Sequence, residues 1–232
     1  MGKLTERLET HEQWGLIALL VLHVVTLPLL IFSGMNWWDW DFFGLSTAGI
    51  NAAYYLIDLV MCFFFAGSYL RRSFDSLLDH PVDGLLAVAF GFVMYYLLNL
   101  AVNLLCMPFD FFQQVNPNQS NLTDIARQSR GTIIAMTVLM APIVEETAFR
   151  GGIFCGLYHK NRLLAYVVCV AAFALYHVWQ GAFLQNDPSY LLFAVRYLPA
   201  SVALCWCYDR GGSLWACIAL HMLINSLSLV LM

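Results

Sequence analysis

Charge is scarce in this sequence. Only 11% of its 232 residues are Asp, Glu, Lys or Arg, and the formal net charge is −4. There is no basic tract, so nucleic acid is not an expected partner. The seven cysteines, Cys62, Cys106, Cys155, Cys169, Cys205, Cys207 and Cys217, show no CxxC spacing, which removes the usual zinc and dithiol motifs. They lie in or beside apolar segments and read as small buried hydrophobes. HExxH is absent, and no serine or cysteine sits in a nucleophile motif. No internal repeat and no Gly/Pro-broken helix pair points to a transporter. No low-complexity linker divides the chain, so residues 1–232 read as one domain. A soluble surface is excluded as well: 61% of the residues are hydrophobic, more than a soluble domain of this size could bury.

What is present is a series of apolar runs near the ~20 residues that a bilayer-crossing helix needs. Seven are expected, roughly over 14–33, 47–70, 82–107, 129–158, 163–183, 190–208 and 213–231. The expected fold is an all-α, polytopic transmembrane helical bundle of about seven spans, with residues 1–128 as its N-terminal spans. The start, Met1-Gly-Lys-Leu-Thr-Glu-Arg7, runs into a full-length span and is expected to be retained. Glu6 breaks the myristoylation pattern, and the final Val-Leu-Met offers no prenylatable cysteine. Loop one holds Trp37, Trp38 and Trp40, as expected of an interfacial aromatic belt. The third loop, Pro108 to Gln128, is the long polar one and contains the sequon-like Asn121-Leu-Thr123. Basic residues fall on the N-terminus and on loops two, four and six, as Arg71, Arg72, Lys160, Arg162 and Arg210. The positive-inside rule then puts the N-terminus in the cytoplasm and the C-terminus outside. Small size and short loops fit a prokaryotic cell membrane.

Against this background the stretch Ile143-Val-Glu-Glu-Thr-Ala-Phe-Arg150 stands out, with three charges at membrane depth. Each ionised group there costs a few kcal/mol on insertion scales and marks a functional site by default. Glu146 and Arg150 are four apart and can pair on one helix face. Glu145 points about 100° away, free for another task. The fifth run adds His177, and the seventh adds His221 and Asn225 on one face. Counted at ~1.5 Å per residue, Glu145 and His177 lie roughly 20 Å deep, Glu146 and Asn225 about 18 Å, and Arg150 and His221 about 12 Å. One polar cluster in two layers is expected. Such a set can activate a water by general-base catalysis and donate to the oxyanion of a tetrahedral intermediate. His23 reads as interhelical glue. Asp58, an acid in mid-span, wants a partner and is a candidate support for the cluster.

Three motifs in order, Glu145-Glu146-Thr-Ala-Phe-Arg150, Phe173-Ala-Leu-Tyr-His177 and His221-Met-Leu-Ile-Asn225, resemble the CAAX protease and bacteriocin-processing (Abi) family of intramembrane glutamic peptidases. The lead-in Asp209-Arg-Gly-Gly-Ser-Leu-Trp215 is similar too, and the resemblance covers about residues 129–232, the last four spans. It implies a protease-like core there and an intramembrane endopeptidase that needs no metal or other cofactor. Glu145 would be the general base on the water, helped by His177. Glu146 and Arg150 would shape the site, and His221 and Asn225 would stabilise the oxyanion. The implied substrate is a membrane-associated peptide or protein, such as a prenylated tail or a leader-bearing precursor, met within the lipid bilayer. Two alternatives stay open. One is a zinc protease using Glu145, His177 and His221. The other is a non-enzymatic binding partner, such as an immunity protein or a sensor-kinase regulator.

Overall fold

The structure, a computed structural model, describes residues 7–31, 46–114, 122–123, 126–127, 129–184 and 186–230. The tryptophans of loop one, the charged start Met1 to Glu6 and the sequon asparagine Asn121 lie outside them. Among the described residues every regular element is helical. Six helices are long and apolar enough to cross a membrane: α1 Thr10–Ile31, α2 Thr47–Asp79, α3 Pro81–Cys106, α4 Arg130–Tyr158, α5 Arg162–Leu184 and α6 Pro188–Gly211. A seventh apolar helix, α7 Leu214–Val230, is shorter at 17 residues. The chain is an integral membrane protein by its apolar helices.

Local chemistry sets the ends. The Ser46 hydroxyl accepts from the Gly49 N–H, Ser129 from Thr132, Asn161 Oδ1 from Leu164 and Asp187 Oδ1 from Ser189, each satisfying an orphan donor of a first turn. Pro81 opens α3, where its missing N–H is harmless. Gly212 closes α6 in the left-handed conformation, φ 67°, and reverses the chain into α7. Two boundaries differ from expectation. Helix α2 continues past Arg71 and Arg72 to Asp79, because charge ends an apolar run without ending a helix. Helix α6 starts at Pro188 as a 3-10 helix through Tyr197 and becomes α-helical from Leu198.

The loops that carry the basic residues meet at one end of the bundle. Glu12 on α1 accepts from both terminal nitrogens of Arg72 on α2, at 2.5 and 2.6 Å, and from Ser68 at 2.8 Å. Ser73 accepts from the Leu214 N–H at 2.7 Å, and Ser76 donates to the Gly212 carbonyl. Asp209 on α6 accepts from Tyr158, Tyr166 and Arg162, tying α4, α5 and α6 together. Contact between α1 and α2 is close: a Cβ on Gly15 would lie 2.6 Å from the Phe65 carbonyl oxygen. At the other end the turn Asp110–Gln113 packs on α6 through Phe111 and Phe193, and Arg196 donates to the Phe112 carbonyl.

Helix α4 is the central element, with 56% of its apolar window buried against 11–39% for the other five long helices. It packs against α1, α2, α5 and α7. All seven cysteines are free and buried, as their apolar surroundings suggest.

Candidate active site

Helix α4 is not regular where it carries the charges. Pro142 has no N–H to give to the preceding turn. The turns just before it, Ala135–Met140, are π-helical, and so are those from Thr147 to Cys155. Wide turns of this kind occur often at functional sites. Ala141–Glu146 is the α-helical stretch between them, and it sends its two glutamates to different neighbours.

Glu145 faces α5 and α2. Its Oε2 lies 3.8 Å from His177 Nε2, longer than a hydrogen bond. Its Oε1 accepts from the Tyr55 hydroxyl at 3.3 Å. Glu145 is 4% exposed, and Oε2 is buried with no hydrogen-bond partner among the described residues. His177 Nδ1 is 2.8 Å from the carbonyl of Phe173, one turn back on α5. A carbonyl only accepts, so Nδ1 carries the proton, and in the neutral ring Nε2 presents its lone pair towards Glu145. The imidazole is clamped between Tyr197, stacked at 4.4 Å, and Phe173 at 4.5 Å.

Glu146 is fully buried and fully partnered. Its Oε1 accepts from Arg150 at 2.9 Å and from His221 Nδ1 at 2.7 Å, and its Oε2 accepts from the Cys217 thiol at 2.9 Å. Arg150, also fully buried, donates on to Ser201 Oγ at 3.1 Å and lies 4.2 Å over the Phe173 ring. The pairing expected from the i, i+4 spacing is present, and the Phe173 ring touches both Arg150 and the imidazole of His177. Asn225 donates through Nδ2 to the Thr137 carbonyl at 2.8 Å. One of its amide hydrogens therefore anchors α7 to the wide turns of α4, and the other remains for a further acceptor.

The structure thus brings Glu145 to His177, and Glu146 to Arg150 and His221. The layers differ from the depth count, which placed Glu146 level with Asn225 and His221 a turn or more shallower. Wide turns rise less per residue than the α-helical value used for counting, so α4 positions are not evenly spaced in depth. The zinc set is not assembled: His221 Nδ1 turns to Glu146, and no group of three or more His, Cys, Asp or Glu side chains among the described residues could hold a metal ion. Four neighbours of the site escaped the sequence reading. Cys217 had a signal, because Cys217, His221 and Asn225 form one i, i+4, i+8 stripe. Tyr197 and Ser201 had the same kind of signal, lying four apart on α6, whereas Tyr55 had none, being a tyrosine within an apolar run of α2.

His23 and Asp58 lie behind this site, both fully buried, with His23 Nδ1 2.7 Å from Asp58 Oδ2. His23 thus hydrogen-bonds across from α1 to α2, as interhelical glue does, and supplies the partner that Asp58 wants.

No curated protein and no solved structure matches the chain. A family model does, across the stretch that holds all three motifs, and the family is one of proteases, so the resemblance read from those motifs stands. Residues 128–227 match the model described as type II CAAX prenyl endopeptidase Rce1-like.

Proposed function

We propose that this chain is an intramembrane endopeptidase of the CAAX-protease type, in which Glu145 and His177 activate the hydrolytic water. The observation that carries the reading is the pair of acceptors, Glu145 Oε2 and the lone pair of His177 Nε2, 3.8 Å apart. Two acceptors at that separation favour a donor between them, and a water with two hydrogens satisfies both. Attack of that water on a peptide carbonyl sends its proton to Glu145 as general base. Negative charge then gathers on the carbonyl oxygen. The second amide hydrogen of Asn225 and the His221 imidazole are the groups that stabilise it. Glu146, which accepts from His221 Nδ1 at 2.7 Å, fixes the orientation of that ring. Collapse of the tetrahedral intermediate breaks the C–N bond, and Glu145 returns its proton to the leaving amine.

The family match favours a substrate that is a membrane-associated peptide or protein with a prenylated C-terminal tail. A leader-bearing precursor uses the same chemistry. Charge in the loops supports a cytoplasmic N-terminus.

The test compares peptide termini in membranes from cells carrying wild type or Glu145→Gln. Termini that vanish in the variant, at equal expression, name the substrate and bond together. Unchanged termini overturn the peptidase reading and leave a binding role for the cluster.

A further inference from the structure

We propose that the helices before the matched stretch complete the active site: Tyr55 on α2 is a positioning residue for Glu145, and the buried His23–Asp58 pair holds it there. This rests on the reading of Glu145 as general base.

The two oxygens of a carboxylate are equivalent until something distinguishes them. Here the Tyr55 hydroxyl donates to Oε1 at 3.3 Å and commits Oε2 to the gap facing His177. The same hydroxyl limits rotation of the carboxylate, so the basic lone pair stays on the side where His177 stands. Tyr55 is itself fixed from behind. Asp58 lies one turn further along α2, on the face that carries Tyr54 and Tyr55. The Tyr54 hydroxyl donates to the His23 carbonyl at 2.7 Å, and its oxygen lies 2.9 Å from His23 Nδ1. That nitrogen is shared with Asp58 at 2.7 Å. Tyr54 packs edge-on against Tyr55, with centroids 4.9 Å apart, and its hydroxyl is 3.4 Å from that of Tyr176. Tyr176 precedes His177 on α5, and its ring lies 4.8 Å from that of His23. One polar set on α1 and α2 therefore backs both halves of the proposed base, Glu145 through Tyr55 and His177 through Tyr176.

A purely mechanical role for the pair fits less well. The start of α1 is already tied to α2 by Glu12 with Arg72 and by the close approach at Gly15. A second buried polar set between the same two apolar helices is expensive glue. It leaves His23 Nε2 and Asp58 Oδ1 buried with no hydrogen-bond partner among the described residues. His23 also sits in a π-helical turn of α1, Leu22–Thr26, the same kind of distortion that surrounds the glutamates on α4.

The experiment uses the full chain and a synthetic peptide spanning the bond whose termini vanish in Glu145→Gln. Tyr55→Phe removes one oxygen and keeps the ring. It is expected to lower kcat about tenfold or more, with KM within about twofold and an unchanged melting temperature, because the lost bond reaches a charged group. Asp58→Asn, which keeps the shape and removes the charge, is expected to lower kcat in the same direction. An unchanged kcat in Tyr55→Phe, or a raised KM at constant kcat, overturns the proposal, the latter by making Tyr55 a substrate contact. Because Glu145→Gln is measured beside it, an inactive Glu145→Gln with a fully active Tyr55→Phe removes this inference alone. Activity retained in Glu145→Gln removes the proposed function with it.

Discussion

Arg150 has no exposed surface and is held on three sides, by Glu146, by Ser201 and by the ring of Phe173. Arg150→Ala would leave Glu146 buried with only His221 and a thiol. The expected loss is about 3–5 kcal/mol, the cost of breaking a buried pair by removing one partner. Thermal unfolding in detergent measures it. Arg150→Lys should recover only part, since an ammonium neither forks between Glu146 and Ser201 nor stacks on Phe173. This pair was legible from spacing, because residues four apart on a helix are neighbours on one face. So was the divergence of Glu145 from Glu146. The His23–Asp58 pair was half legible: Asp58 needed a partner, and depth counted from Glu12 and Arg72 puts His23 within about a turn of it. Tyr55 was not legible. It meets Glu145 across 90 positions of sequence, and a lone tyrosine in an apolar run carries no pattern to read.

The helices themselves were largely written in the apolar runs, and their ends in the caps. Missing from the sequence were the wide turns of α1 and α4. A π-helical turn depends on which backbone groups find tertiary partners, and an apolar run looks the same either way. Helix contacts turn on single small residues as well. Gly15→Val would drive a methyl group into the Phe65 carbonyl, where backbone on both sides resists movement. It is expected to destabilise by about 1–3 kcal/mol, read as a lowered unfolding midpoint. Gly67, where an added Cβ meets nothing within 4 Å, is the matched control, and Gly67→Ala should be neutral or mildly stabilising.

Across the whole molecule, the all-α bundle was readable from composition, and the gathering of loops two, four and six at one end from the distribution of Lys and Arg. What the loops could not give was the fit of α1 and α2 against the charged helix, since no periodicity links them. Membrane orientation is directly testable. The described part of helix α7, 17 residues, spans about 25 Å, against the ~30 Å apolar thickness. Reporter fusions are expected to place the N-terminus in the cytoplasm and the C-terminus outside. Both termini on one side would mean that α7 does not cross. The burial of α4 bears also on how the protein is made. Its carboxylates leave the ribosome 75 residues ahead of His221, the imidazole that Glu146 requires, and His177 too lies on a later helix. Only the Arg150 pair is available to neutralise Glu146 during that interval. On the proposed chemistry the nascent chain is inert until the helix that carries His221 has packed against α4.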